Sequence, residues 1–138
     1  MAAYESPIDF LVEMSRRESC AHFRAHMGCS MLFKDKVRNR EFALKRALAN
    51  NILDGLFCEF GVAAGHGCNQ FGGILNPLGV DFYGFDSFEG LQEDWTGIQT
   101  GRTAGAFTQF GALPTVPSNV SLVKGWLQDT LPEFLLST

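Results

Sequence analysis

Two carboxylates occupy matching positions in the sequence, each at the end of a short apolar run. Glu59 lies in the run 56–60, directly before a glycine-rich turn, and Asp86 directly follows the run 80–85. A carboxylate beside such a turn accepts hydrogen bonds from an ammonium group but repels a pyrophosphate. Asp86 comes about 20 residues after Gly65, the offset at which an acidic side chain binds ribose hydroxyls in nucleotide-binding folds. Together the two residues predict a site for a nucleoside that also carries an amino group.

The segment between the two carboxylates begins with a turn that can present backbone N–H groups to a ligand. Gly61 and Gly65 allow close approach because they carry no side chain, and the helix that follows has unpaired N–H groups in its first turn. Such a turn also occurs without a ligand, and Asp86 alone is also consistent with an ordinary aspartate at a strand end. In combination with Glu59, these residues favour S-adenosylmethionine. Trp126, just after the last predicted strand, either stacks on the adenine or lies buried in the core.

A parallel β-sheet is needed to bring these residues together. Three apolar runs predict its strands, at 56–60, 80–85 and 120–124. Helices are predicted at about 67–75, near 90–95, and after the last strand, where 129–132 would cap the helix. This alternation is typical of an α/β fold with right-handed crossovers. We therefore predict a Rossmann-like parallel sheet, the first half of a doubly wound fold, with strand order 3-2-1.

Two helices are predicted before the sheet. Ser6-Pro7 has the pattern of an N-cap followed by the first helical residue, and Gly28 is expected to end this helix. Apolar residues at helical spacing predict the second helix over about 35–50. We treat the chain as one domain overall, with a helical segment at 1–54 and a partial nucleoside-binding domain at 55–138.

Composition narrows the function classes. The net charge is −4, whereas nucleic-acid binders normally carry a clustered basic face, so no nucleic-acid partner is expected. The sequence has no N-terminal signal pattern and no apolar run near 18 residues, which predicts a cytoplasmic protein with no membrane segment. The four cysteines form no C-x-x-C pair, so neither a metal knuckle nor a disulfide framework is expected.

Four motifs lie in the same order as in one known family. They are Glu59-Phe60-Gly61-Val62, the run 83–91 (YGFDSFEGL), 93–95 (EDW) and 123–132 (VKGWLQDTLP). Over about 56–135 the chain resembles the macrocin-type O-methyltransferases, which are class I S-adenosylmethionine-dependent enzymes. The resemblance implies methyl transfer to a hydroxyl of a small molecule, such as a sugar or natural product, with a divalent metal such as Mg²⁺. It also implies a role for each predicted cofactor-binding residue: Glu59, Gly61 and Gly65 at the methionine end, Asp86 and Ser87 at the ribose, and Trp126 near the adenine.

The chain departs from the family's pattern in two places. Gly67 stands where the family usually has a small hydroxyl residue. The family's fourth strand, which carries the metal-binding aspartates, has no counterpart before Thr138, so no catalytic residue is assigned and no metal ligand is expected in this chain. We therefore expect a fragment that is not active alone. Its run 56–60 would be an unpaired apolar edge that favours pairing with another chain, for example as a homo-oligomer.

Several assignments stay open on sequence alone. His66 is either a base or a solvent-facing loop residue, and His22 and His26 share a helix face but lack a third metal ligand nearby. The stretch 97–111 is either a lid or an ordinary surface loop. A non-catalytic nucleoside-binding subunit is the alternative to an enzyme, whereas a nicotinamide-dependent oxidoreductase is disfavoured by Glu59.

Overall fold

Three short strands form one parallel sheet in the order β1-β2-β3. They are β1 (Cys58–Phe60), β2 (Phe82–Asp86) and β3 (Val120–Lys124). Phe60 lies opposite Phe85, and Phe85 opposite Val123, so the carboxyl ends of all three strands meet at one edge. The predicted α/β fold, a parallel sheet preceded by two helices, is confirmed.

The structure is a computed structural model that describes residues 6–50, 55–95 and 102–137. The chain forms two units, 1–38 and 39–138. The first contains helix α1 (Pro7–Met27), in which the Ser6 hydroxyl accepts a hydrogen bond from the Asp9 N–H at 3.2 Å, and Gly28 follows the last turn. The predicted cap and end of this helix are confirmed. Among the described residues, no helix combines the length and the apolar character that crossing a membrane requires.

One face of the sheet carries the buried core of the second unit. Helix α2 (Lys36–Ala49) contributes Leu44, and helix α3 (His66–Leu75) contributes Cys68 and Leu75. These side chains pack in one cluster with Phe82 of β2 and Val120 of β3. A 3₁₀ turn at Asn76–Leu78 follows α3 and leads the chain back towards β2.

Helix α4 (Leu127–Ser137) covers the opposite face. Its Phe134 ring contacts Tyr83 and Phe85, with ring centroids 4.9 Å and 5.0 Å away. Phe82, which alternates with them along β2, instead stacks on Phe71 of α3 at 5.6 Å. Because successive strand residues point to opposite faces, the two helices enclose the sheet from both sides.

The last helix begins earlier than the sequence predicted. Residues 129–132 were expected to cap it, but α4 begins at Leu127, and the Trp126 carbonyl accepts from the Asp129 and Thr130 N–H groups at 3.0 Å each. Pro132 therefore lies inside the helix. It stands in the second turn, where its missing N–H removes one hydrogen bond of the helix.

Gly84 at the centre of β2 allows α3 to lie close to the sheet. A Cβ at this position would lie 2.7 Å from Cys68 Sγ and 2.8 Å from Val62 Cγ2. Since α3 starts at the glycine turn after β1, this close packing fixes the position of the turn relative to the end of β2.

The helix predicted near 90–95 is wrong. The Leu91 N–H donates to the Ala106 carbonyl at 3.0 Å, the Gly105 N–H donates to the Leu91 carbonyl at 2.8 Å, and the Trp95 N–H donates to the Arg102 carbonyl at 2.9 Å. Backbone groups that a helix would use internally are thus bonded between two antiparallel segments. We call residues 91–95 and 102–107 the hairpin loop.

Candidate functional site

Three connections meet at the carboxyl edge of the sheet and border a cavity of about 490 Å³. They are the glycine turn after β1, the loop after β2 and the start of α4 after β3. In parallel α/β sheets this edge is where ligands bind. Four of the six predicted cofactor-binding residues line the cavity, namely Gly61, Asp86, Ser87 and Trp126. Glu59 and Gly65 are not part of its lining.

Asp86 bonds two turns at once. Its Oδ2 accepts a hydrogen bond from the Ala63 N–H and its Oδ1 accepts one from the Phe88 N–H, both at 2.7 Å. Ala63 (φ 47°) and Phe88 (φ 61°) both have left-handed backbone conformations, which are strained for residues with a side chain. Asp86 therefore stabilises the glycine turn and the loop after β2. A carboxylate has about four acceptor positions, so two remain for a ligand in the cavity.

Gly65 lies next to the segment that precedes β3. It precedes α3 with φ 78°, and a Cβ there would lie 2.9 Å from Pro114 Cβ. The Asn69 side-chain amide donates to the carbonyls of Gly65 and Thr115, both at 2.9 Å. Gly65 thus connects the glycine turn to the segment before β3 and does not line the cavity.

Glu59 is turned towards the first turn of α3. Its side chain is 15% exposed, and its Oε1 lies 3.8 Å from the Arg40 guanidinium. A Cβ on Gly67 would overlap Oε1, so the carboxylate fills the space that a side chain at this position would need. The second oxygen, Oε2, is buried and accepts no hydrogen bond from any described residue. A buried acceptor of this kind is costly when left unpaired.

Cys68 is buried beside Glu59, and sequence reasoning did not identify it. Its side chain is fully inaccessible. Burial, and then interaction with the Glu59 carboxylate, raises the pKa of the Cys68 thiol from 9.0 to about 12. The thiol is therefore protonated near neutral pH and is not a nucleophile there. The sequence offered one signal for this residue: it is the third residue of α3, which begins at the turn after the strand that carries Glu59.

Ser87 and Trp126 lie on either side of Asp86. Ser87 is buried, and its Oγ accepts a hydrogen bond from the Glu89 N–H at 3.2 Å. The Gly125 N–H donates to the Asp86 carbonyl at 3.0 Å, which places Trp126 next to the end of β2. Of the two interpretations left open for Trp126, the structure has it half-buried in the cavity lining and outside the core cluster.

Aromatic residues form one wall of the cavity. The sequence analysis did not identify this wall. We call Phe60, Trp95 and Phe107 the aromatic wall; all three line the cavity. The Trp95 and Phe107 rings meet edge to face at 5.9 Å, and the Arg102 guanidinium lies 4.4 Å from the centroid of Phe107. Aromatic residues in a glycine-rich stretch between two strands were the signal that could have indicated this wall.

The remaining histidine and loop assignments are resolved in part. His66 is exposed at the start of α3 and does not line the cavity. His22 and His26 have ring centroids 6.3 Å apart, and no group of three metal-binding side chains occurs within 6–50, 55–95 and 102–137. Of the stretch 97–111, residues 97–101 lie outside the described residues, and 102–107 belong to the hairpin loop.

Comparisons with known proteins give limited similarity. No protein-family model and no curated protein matches the chain. The solved structure of the O-methyltransferase NovP is 24% identical, with a TM-score of 0.48 over 70% of this chain and 47% of that one. The calicheamicin methyltransferase CalS11 is 21% identical, with a TM-score of 0.47 over 98% of this chain and 64% of that one. The chain spans about half to two thirds of the length of these proteins, and similarity at this level does not transfer activity or substrate.

The nucleoside end of S-adenosylmethionine fits the cavity on chemical grounds. Asp86 offers free acceptor positions, and Trp126 offers a flat surface beside it. The amino-acid end fits less directly, because Glu59 does not line the cavity and its carboxylate lies against Gly67 of α3. An ammonium group would reach this carboxylate only if Glu59 turned away from Gly67. The metal that the family resemblance implies finds no ligand set among the described residues, and we derive no step through it.

Proposed function

We propose that this chain forms the S-adenosylmethionine-binding part of a methyltransferase that acts on a hydroxyl of a small molecule. One observation carries the proposal: Asp86, at the carboxyl end of β2, lines the same cavity as Gly61 after β1 and Trp126 after β3. This is the place and the residue type with which doubly wound folds bind a nucleoside. The motif resemblance over 56–135 supports the same function.

Each cavity residue has a defined part in this function. S-adenosylmethionine supplies a methyl group activated on a sulfonium. Asp86 accepts hydrogen bonds from the ribose hydroxyls, and Trp126 packs against the adenine. The glycine turn leaves backbone room at Gly61 and Ala63, and the aromatic wall adds apolar surface to the same cavity. These residues orient donor and acceptor, which is the main requirement of an in-line displacement.

The proton of the acceptor hydroxyl has no assigned base. Asp86 is the one carboxylate among the described residues that line the cavity, and its role at the ribose and turns leaves it unsuited to that step. The catalytic base therefore stays unassigned. Experiments on this chain test the cofactor-binding part of the proposal.

Calorimetric titration of the chain with S-adenosylhomocysteine and, separately, with NAD⁺ tests the proposal. We expect S-adenosylhomocysteine to bind, and we expect NAD⁺ not to bind because its pyrophosphate would share the cavity with the Asp86 carboxylate. Trp126→Ala should weaken nucleoside binding, whereas Phe110→Ala, a change at a 91% exposed ring that does not line the cavity, should not. Binding of NAD⁺ alone would refute a methyltransferase cofactor site. Binding of S-adenosylhomocysteine with no methyl transfer to any hydroxyl acceptor would favour the non-catalytic alternative.

A further inference from the structure

Glu59 has a positively charged neighbour on helix α2. The Arg40 guanidinium lies 3.8 Å from Glu59 Oε1, and the Arg40 and Glu59 side chains are 30% and 15% exposed. Within the part of the chain that the structure describes, this is the one ion pair that Glu59 forms. The distance is longer than that of a hydrogen bond, so the two groups attract each other through charge without a directional bond. A ligand that offers Glu59 a hydrogen bond can therefore compete with Arg40.

Arg40 has a second contact that keeps it in this position. Its guanidinium carbon lies 5.9 Å from the centroid of the Phe71 ring on α3, within the distance at which a cation is attracted to an aromatic face. Phe71 in turn stacks on Phe82 of β2 at 5.6 Å. The positive charge is therefore held beside α3, and it attracts the Glu59 carboxylate towards this helix.

The Glu59 carboxylate has unused acceptor capacity in this position. Its Oε2 is buried and accepts no hydrogen bond from any described residue, although a carboxylate has about four acceptor positions. Hydrogen bonds from an ammonium group to a carboxylate are about 2.7–2.9 Å long and about twice as strong as those between neutral groups. By turning towards a ligand that carries an ammonium group, the carboxylate would gain such bonds and lose its contact with Arg40.

We propose that Arg40 is a positioning residue that acts through Glu59: it holds the carboxylate against α3, and the ammonium group of S-adenosylmethionine must compete with it for this carboxylate. This inference rests on the proposed function, because it concerns how the same site takes the amino-acid end of its cofactor. The contact with Arg40 lowers the affinity for a nucleoside that carries an ammonium group. It leaves the affinity for a nucleoside without this group unchanged.

The test compares S-adenosylhomocysteine with 5′-methylthioadenosine, which has the same nucleoside and thioether but no amino-acid end. Calorimetry measures the affinity of both for the unmodified chain and for Arg40→Gln. We expect Arg40→Gln to bind S-adenosylhomocysteine about two- to fivefold more tightly, as the loss of one partly exposed ion pair implies, and to bind 5′-methylthioadenosine with unchanged affinity. Adding Glu59→Gln to Arg40→Gln should abolish the gain. Arg46→Gln is the matched control, because Arg46 is an exposed arginine of the same helix.

Two further variants separate the charge of Arg40 from its packing. Arg40→Met removes the charge but keeps an unbranched apolar side chain next to Phe71, so it should show the same gain as Arg40→Gln. Arg40→Lys keeps the charge and should bind both nucleosides with the affinities of the unmodified chain. Far-ultraviolet circular dichroism verifies that each variant is folded.

The outcomes distinguish this inference from the proposed function. An unchanged or lower affinity of the folded, uncharged variants for S-adenosylhomocysteine overturns the inference and leaves the proposed function standing. Equal gains for both nucleosides also overturn it, because Arg40 would then act on the shape of the site and not on the ammonium group. The same gain in Arg40→Lys would show that the charge is not the cause. If neither nucleoside binds to the unmodified chain or to any variant, the proposed function is refuted, and the inference with it.

Discussion

Replacing Asp86 should affect stability as much as ligand binding. Asp86→Ala removes two hydrogen bonds from backbone N–H groups to a charged acceptor, at Ala63 and Phe88. Bonds of this kind contribute about 1.5–3 kcal/mol each. Both donors also belong to turns with strained backbone. We therefore expect the free energy of unfolding to fall by about 3 kcal/mol or more, a large part of the total for a small domain.

Asp86→Asn separates the contributions of the two oxygens. The amide keeps one acceptor oxygen but turns an NH₂ group towards the other N–H, so one backbone donor is left unpaired. The expected loss is about 1–3 kcal/mol, between that of the alanine variant and the unmodified chain. Asp81→Ala is the matched control, because Asp81 is exposed just before the amino end of the same strand.

Urea unfolding followed by far-ultraviolet circular dichroism measures these differences, and calorimetry with S-adenosylhomocysteine measures affinity for the same variants below the unfolding transition. If Asp86→Ala is as stable as Asp81→Ala, the two backbone bonds do not stabilise the turns and the reasoning is refuted. If stability is retained but affinity is lost, Asp86 acts on the ligand alone. A nucleoside affinity equal to that of the unmodified chain in folded Asp86→Asn would remove this carboxylate from the ribose site.

Three further predictions follow from the packing around α3. Gly84→Ala should lower stability by about 1–3 kcal/mol, whereas Gly73→Ala, where a Cβ meets nothing within 4 Å, should be neutral or stabilising; equal effects in urea unfolding would contradict the close approach of α3 to β2. Gly67→Ala should displace the Glu59 carboxylate from α3 and raise affinity for S-adenosylhomocysteine by making the carboxylate available to the ammonium group, and Glu59→Gln should abolish that gain; a calorimetric gain that persists in the double variant would show that Glu59 does not cause it. Cys68 should resist iodoacetamide in the folded chain at pH 8. Because its pKa is raised from 9.0 to about 12, its contribution to stability is complete below pH 9 and is lost as pH rises towards 12, so Cys68→Ala should show a shallower alkaline loss of stability; an unchanged slope would contradict this.

The secondary structure that local patterns determine was predicted well. Ser6, Pro7 and Gly28 bound α1 as expected because capping depends on neighbouring residues alone. The strand at 120–124 was predicted to the residue. The first strand is shorter than predicted, Cys58–Phe60 instead of 56–60, since the extent of a strand depends on its partner, which a single sequence does not specify.

The errors lie where distant parts of the chain decide the local structure. The run 90–95 has some helical character, but pairing with 102–106 uses its backbone groups in a hairpin. The start of α4 depends on the Trp126 carbonyl, which is presented at the end of β3. Neither interaction produces a periodic pattern in the sequence, so neither could be predicted from such a pattern.

The candidate site was predicted in part. The spacing of Asp86 from the glycine turn placed it correctly at the edge of the sheet, because parallel strands end at one edge. Spacing did not reveal that the same carboxylate bonds Ala63 and Phe88, nor that Glu59 turns towards α3. Side-chain direction and the aromatic wall depend on packing between elements. Whether Glu59, Gly65 or Ser87 contacts a cofactor stays a prediction.

The overlap between the Glu59 carboxylate and the missing Cβ of Gly67 has a consequence for comparing related sequences. Natural variation at positions 59 and 67 should be correlated, because a side chain at position 67 would take the space of the carboxylate at position 59. The carboxylate would then have to adopt another direction. Homologues with serine or threonine at this place would then present that group to solvent or to a ligand. The residue type at position 67 would then indicate whether the carboxylate at position 59 lies against α3 or faces away from it.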